Sequence, residues 1–392
     1  MRASIHWFSG SGNSWLAATR LAERLRGGGA EAVLVPIEDA ARVAPAARAD
    51  ARAAGAGGAP DGGEAVHGGA PDLEVFCFPI YAFDAPSAVA RFVAGLPLPS
   101  AALADTGASA SAPAGAQASA PRKAALVATM GGKGYEGRAL RRLERILASR
   151  GRKVVLAEAL EMPEAFVQAY PATPPEAAEA RTAAALAIAD GLAGELLSGG
   201  GRFRADRPAL RILLTPVSVL FALVARRLLG LSWGCDGLAC TGCGLCARAC
   251  PAGNIRMAGQ RPSFGAACED CQRCANLCPT GAIRVSALKL LVYVILSFPS
   301  YGRILAGLLG LPPPAGPLGL LLRAALWLVG AFAAFAAAAS AFRVAESRPA
   351  GRNFLSRSYA KGFLRRLAPG FQAELAGRDR AAREKAGATD RT

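Results

Sequence analysis

The feature that most limits what this chain can be is a repeated cysteine run. Residues 240–251 read C-T-G-C-G-L-C-A-R-A-C-P, and residues 268–279 read C-E-D-C-Q-R-C-A-N-L-C-P. Both have the form C-x2-C-x2-C-x3-C-P, and Gly253, Ile255 and Arg256 recur as Gly281, Ile283 and Arg284. Three thiolates this close together wrap one cubane [4Fe-4S] cluster, while the fourth, set before proline, reaches the other. The spacing assigns Cys240, Cys243, Cys246 and Cys278 to one cluster, and Cys268, Cys271, Cys274 and Cys250 to a second. Zinc sites usually present cysteines as pairs rather than triplets. A disulfide framework belongs to small secreted domains, and no secretory signal is read at the start of this chain.

At 392 residues the chain has room for two or three domains. Two cysteines lie outside the run. Cys77 sits in an apolar stretch as a small buried hydrophobe, and Cys235 is a spare thiol beside the first cluster. Oxygen-sensitive clusters call for a reducing compartment, hence the cytoplasmic side of a membrane. The net charge of +16 suits nucleic acid, a membrane surface or acidic partners, but no nucleic-acid motif or aromatic-lined basic groove accompanies it. Of the two histidines, His6 reads as a packed strand residue and His67 lies in a Gly/Ala-rich stretch, so histidine acid–base catalysis is not the favoured chemistry.

The first half alternates apolar runs with helical spacing. Residues 3–8 predict a strand, 15–26 a helix, and 33–37, 73–80, 124–130 and 153–157 further strands. Helices follow at about 86–94, 136–150 and 175–198. Such alternation predicts a parallel, doubly wound α/β sheet with right-handed crossovers and a ligand site beyond the carboxyl ends of its strands. Residues 40–71 and 100–121, rich in Ala, Gly, Pro and Ser, read as disordered insertions. Between first strand and first helix lies Ser9, Gly10, Ser11, Gly12, Asn13, Ser14, a loop that aims amides and a helix N-terminus at an anion. It lacks the third glycine of a dinucleotide fingerprint, since Trp15 stands there, and the lysine of a nucleotide P-loop. Hydroxyls without lysine suit a phosphate monoester.

That loop resembles the FMN-phosphate loop of flavodoxins. The resemblance implies that Tyr81 and Phe83 frame the isoalloxazine ring, and that the turn Gly131, Gly132, Gly134 and Tyr135 forms its second wall. The cysteine segment resembles bacterial two-cluster ferredoxins. Together with M-P-E-A-F at Met162–Phe166 and G-N-I at Gly253–Ile255, the chain over about residues 1–285 resembles the EFR1-type family of flavodoxin–ferredoxin fusion proteins. It departs from that family's more usual asparagine at Ala165. The family implies electron transfer and FMN as a cofactor.

The rest is apolar, then basic. Residues 324–342 carry no charge over a length that meets a membrane span. Residues 290–311 form a second apolar arm, with the Pro-rich segment 312–317 as turn. A two-helix hairpin over 287–343 keeps clusters and basic tail on one side, as the positive-inside rule prefers; a soluble helical cap or an interfacial hairpin is the alternative. Residues 200–232 read as an amphipathic linker helix, on the membrane surface or packed between domains. The remaining boundaries are 1–199 for the α/β domain, 233–286 for the cluster domain and 344–392 for the tail. Within the tail, 353–368 reads as a surface helix, either solvated or on an anionic leaflet. The function expected is electron transfer between two clusters and FMN, exchanging with a redox partner protein. The alternatives are a redox sensor or assembly subunit with an empty docking domain, and a flavin-dependent reductase of a small substrate.

Overall fold

The computed structural model describes residues 1–38, 70–98, 121–132, 134, 136–203, 207–297, 301–310 and 316–378. Nearly all of the two expected insertions, and Tyr135, lie outside the described residues.

Five strands form one sheet: β1 (Arg2–Trp7), β2 (Glu31–Pro36), β3 (Leu73–Pro79), β4 (Arg122–Met130) and β5 (Arg152–Glu161), in the order β2-β1-β3-β4-β5. All pairings are parallel, with Ile5 opposite Leu34 on one side and Val75 on the other. The chain winds outward one way from β1 to β2 and the other way from β3, so a crevice opens at the carboxyl ends of β1 and β3. β3 and β4 are buried along almost their whole length. Such strands are covered on both faces and therefore read as continuous apolar runs.

Helices α1 (Asn13–Gly27) and α4 (Pro175–Leu197) cover one face, packing Leu21, Leu25, Ala189 and Leu192 onto Ile5, Val75 and Val127. Helices α2 (Ser87–Ala94) and α3 (Ala139–Ala148) cover the other, packing Val89, Val93, Leu140 and Leu143 onto Phe76, Phe78 and Leu126. His6 is buried and stacks on Phe76 at 5.1 Å, the packing role expected. Cys77 is fully buried, and burial pushes its thiol well above the usual range. β5 runs past the apolar run that announced it, because Ala159 and Leu160 continue into the two cores while the strand stays paired with β4.

One long helix, α5 (Pro208–Leu231), leads to the cluster unit and turns π-helical over Phe221–Ala225. The cluster unit has strand β6 (Trp233–Cys235), short helix α6 (Leu245–Arg248), hairpin β7 (Ile255–Ala258)–β8 (Arg261–Phe264), short helix α7 (Arg273–Leu277) and strand β9 (Ile283–Val285). β6 pairs antiparallel with β9, closing the duplicated unit on itself. Beyond it run α8 (Ala287–Leu296), α9 (Tyr301–Leu308), α10 (Gly316–Ser347) and α11 (Pro349–Leu355). α8 and α9 both pack along α10, through Tyr293 against Phe335 and Phe342 and through Tyr301 against Trp327.

The tail differs from expectation. Residues 357–370, between α11 and a further helical stretch over 371–378, are irregular and act as a strap. Arg365 donates to the carbonyls of Ala275, Gly281 and Ile283, and the Ala368 amide donates to Ser11 O at 2.7 Å. Phe371 is fully buried beside Trp7 and Trp15. Apolar spacing over 354–364 therefore reports anchoring points of an irregular segment rather than one helix face.

Candidate functional site

The cysteine loops build the first site. Cys240, Cys243, Cys246 and Cys278 line one small hollow with Leu245, Met257 and Ile283. The thiol of Cys246 is pushed up to about 11, first by burial and then by the charges of Cys278, Cys240 and Cys243. Burial pushes the Cys274 thiol up strongly, and the charges of Cys268, Cys271 and Cys250, then Cys246, add to it. The fold thus gathers the cysteines in two sets, each borrowing one member from the other motif. Among the described residues, no three His, Cys, Asp or Glu side chains group as a single-ion site. Backbone amides of Asn254, Asp270 and Ala282 donate to the sulfurs of Cys250, Cys268 and Cys278, each at 3.3 Å. Amide donors of this kind steady thiolates and tune a cluster they hold. Gly242, Gly244, Gly253 and Gly281 all have positive φ, the conformation that lets the chain turn tightly between ligands. Cys235 lies beside Cys240, and burial raises its thiol well above the usual range.

The second site is a cleft of about 480 Å³ at the β1/β3 switch point, within the span of small-molecule sites. Ser9, Gly10, Ser11, Asn13 and Ser14 line one end; Tyr81, Phe83, Thr129, Gly131 and Phe166 line its walls. Of the loop hydroxyls, Ser9 accepts from the Gly12 amide at 3.0 Å and Ser14 pairs with Thr129 at 2.7 Å, both buried. That leaves Ser11 as the serine with a partly exposed side chain, so two of the three expected phosphate-binding hydroxyls are engaged within the protein. Gly12 turns away from the cleft with φ 97°, and a Cβ there would press on Ala368 and Phe371 of the strap. Asn13 bridges to Pro163 O at 2.7 Å, tying the loop to the Met162–Phe166 segment.

The aromatic loop is wound tightly. Tyr81 and Asp84 exchange backbone hydrogen bonds while Ala82 and Phe83 both have positive φ, 45° and 67°. Non-glycine residues in that region store strain, which persists only when neighbours hold it. Here Asp84 is held by Arg138 at 3.1 Å and Arg142 at 2.9 Å, and the Phe83 carbonyl accepts from the Arg138 amide. Gly131 lines the cleft; Gly134 lines a neighbouring hollow, and Gly132 lines neither. Among the turn's described residues Gly131 alone meets the cleft, and Pro163, Glu164, Phe166 and Tyr170 line the wall beside it.

The two sites meet. Asp270, Cys271 and Gln272, from within the second cysteine triplet, line the cleft. A Cβ on Gly10 would overlap the Cys271 carbonyl and touch the Tyr81 hydroxyl. Burial pushes the Tyr81 phenol well above its usual range, with Cys271 adding to the effect. Beneath this contact Arg273 is buried, donating to Ser9 O at 3.0 Å, to Glu38 at 2.9 Å and to Ala249 O at 3.0 Å. Arg378, from the end of the described tail, reaches the same Glu38 oxygen at 3.1 Å. Nothing in the linear spacing marked Asp270, Gln272 or Arg273. They occupy the variable positions of the cysteine motif and gain a role only through docking.

The donor sets fit the groups that the sequence called for. Eight thiols in two sets of four, with amide donors on three of them, suit cubane clusters. A cleft of adequate volume, with a helix N-terminus at one end and aromatic walls, suits a flavin mononucleotide.

Residues 239–282 match the 4Fe-4S dicluster domain family. The first half is similar to flavodoxin 1 from Bacillus cereus, at 15% identity and TM-score 0.31, covering 50% of this chain and 98% of that one. It is similar in the same way to a flavodoxin from Pseudomonas aeruginosa, at 13% identity and TM-score 0.29, covering 50% and 97%. A third likeness is to an NAD(P)H:quinone oxidoreductase from Methanothermobacter marburgensis, at 18% identity and TM-score 0.31, covering 50% and 96%. No curated protein sequence matches the chain. The chain thus joins a five-stranded parallel α/β domain to a segment, residues 239–282, of the 4Fe-4S dicluster kind.

Proposed function

We propose that the protein passes electrons between two [4Fe-4S] clusters and an FMN seated in the cleft. The observation that carries this is the presence of Cys271 in the cleft wall, against Gly10 of the phosphate loop. Cubane clusters would supply one-electron exchange and the flavin one- or two-electron exchange. The residues of this chain position and insulate them. Cys268, Cys271, Cys274 and Cys250 hold the flavin-side cluster, and Cys240, Cys243, Cys246 and Cys278 the outer one. Cys243 is the one exposed cysteine of the eight, which makes the outer set the side for a redox partner protein. The Ser11 hydroxyl and the loop amides hold phosphate, while Tyr81, Phe83 and Phe166 enclose the ring and exclude water. Arg273 fixes the phosphate loop to the cluster loop.

The apolar helices α8 to α10 support attachment to a membrane as a hairpin. The candidate span Leu318–Ser347 is only 11% buried in its most apolar window. With the clusters and basic tail on one side, that side is the cytoplasmic one. The fusion-family resemblance over residues 1–285 supports the electron-transfer reading.

A second reading, a docking domain without flavin, is favoured by the internal engagement of Ser9 and Ser14. Iron, acid-labile sulfide and flavin, measured per chain on protein purified in detergent without oxygen, decide between them. About eight iron, eight sulfide and one FMN are expected. Eight iron without flavin, even after FMN is added, would overturn the first reading. Ser11→Lys should abolish flavin retention and leave iron unchanged.

A further inference from the structure

Helix α5 is built inside out. Its inward face carries the polar groups: buried Ser218 donates to Ala82 O at 2.9 Å, and buried Arg226 donates to Cys268 O at 2.8 Å. Its outward face is wholly apolar, with Ile212 71%, Leu213 70%, Leu220 60% and Leu223 63% exposed. Residues 212–225 contain no charge. A helix packed on a soluble domain buries its apolar stripe and shows water its polar one; here the order is reversed over about 18 Å of helix. Contiguous apolar surface of this kind marks an interaction site.

Length and composition would let α5 cross a membrane, but its inward face forbids that. Phe221 and Leu229 line the flavin-binding cleft, and a Cβ on Gly230 would strike Cys268. A spanning helix would have to release these contacts and carry the buried Arg226 into lipid. The π-helical turn Phe221–Ala225 falls where the helix meets the cleft, as such turns often do at functional sites.

We infer that α5 lies flat in the surface of an anionic lipid bilayer, its outward apolar face immersed and its inward face forming the lip of the cleft. Exposed Arg227 stands at one end of the apolar face, placed to meet anionic headgroups. The apolar helices α8 to α10 leave the same cluster unit, and α8 packs against the last turn of α5, so both surfaces meet one bilayer. This goes beyond attachment by the hairpin: it sets the cleft at the lipid surface, where an apolar electron acceptor concentrates and a hydrophilic one does not.

The test places a photoreactive benzoylphenylalanine at Leu213 or Leu223 of the full chain, with Ile188 on α4 as an exposed control. Each protein is reconstituted in vesicles of phosphatidylcholine with or without phosphatidylglycerol. Lipid adducts at 213 and 223 should exceed those at 188 by at least ~5-fold and rise with phosphatidylglycerol. Adducts to a second copy of the chain, or adducts no more frequent than at 188, would overturn the inference. Iron and flavin, counted on the same samples, separate its failure from failure of the electron-transfer reading. Full cofactor content without lipid adducts sinks the bilayer contact alone.

Discussion

Arg273→Met tests the joint between the two sites. Arg273 is fully buried, and its guanidinium faces Glu38, which is only 4% exposed. Burial alone would raise the Glu38 carboxyl, but Arg273 and then Arg378 override it and hold the carboxyl below its usual range. Removing one partner of a buried pair strands the other and costs about 3–5 kcal/mol. Arg378 still reaches Glu38 at 3.1 Å from a more exposed position, so the low end applies, about 3 kcal/mol. That equals roughly two decades in the folded-to-unfolded ratio. The assay is denaturant unfolding followed by tryptophan fluorescence, since Trp7 sits beside Arg378 and Phe371. Adding Glu38→Gln to Arg273→Met should recover part of the loss, because no stranded carboxylate remains. The pH dependence carries a definite sign. A carboxyl depressed in the folded state contributes stability above its unfolded value and loses it as pH falls through the folded value. In Arg273→Met much of that depression is gone, so the deficit relative to the parent is largest near neutrality and shrinks toward acid pH. A cost under about 1 kcal/mol, as for an exposed pair, or no recovery in the double variant, would refute the reasoning.

Other outcomes follow from single contacts. Gly10→Ala drives a methyl into the Cys271 carbonyl; overpacking against backbone costs about 1–3 kcal/mol. Flavin retention by equilibrium dialysis should fall tenfold or more while iron content holds. Cys250→Ala should remove the cluster signal belonging to Cys268, Cys271 and Cys274 in electron paramagnetic resonance and spare the other; loss of the other alone would contradict crossed ligation. Phe371→Ala empties a fully buried site between Trp7 and Trp15 and should cost about 3–5 kcal/mol. Limited proteolysis should then cut the strap between 357 and 370 sooner than in the parent.

What the sequence determined by itself is local chemistry. Eight cysteines at fixed short spacings can reach only so far, so their grouping followed from chain geometry before any fold was known. Apolar runs separated by helical spacing likewise required a parallel sheet, because only strands covered on both faces read that way. A hydroxyl-rich loop between strand and helix pointed to the end of the sheet where the cleft lies, for the same local reason. Long-range pairing is different, since spacing carries no record of it. The irregular strap left only scattered aromatics, which mimicked a helix face. Ser14 was equivalent to Ser11 on paper, and its hydroxyl became engaged only once Thr129 was brought beside it. Gln272 and Arg273 sit at positions the cysteine motif leaves open, and they mattered only when the cluster loop met Gly10. The apolar stretch 210–225 carried a composition equally suited to crossing, lying on or packing under a surface. Tertiary structure fixes Ser218 and Arg226 to backbone carbonyls on one side and leaves leucines exposed on the other. The cost of breaking buried hydrogen bonds depends on who the partner is, and the partners here come from distant parts of the chain.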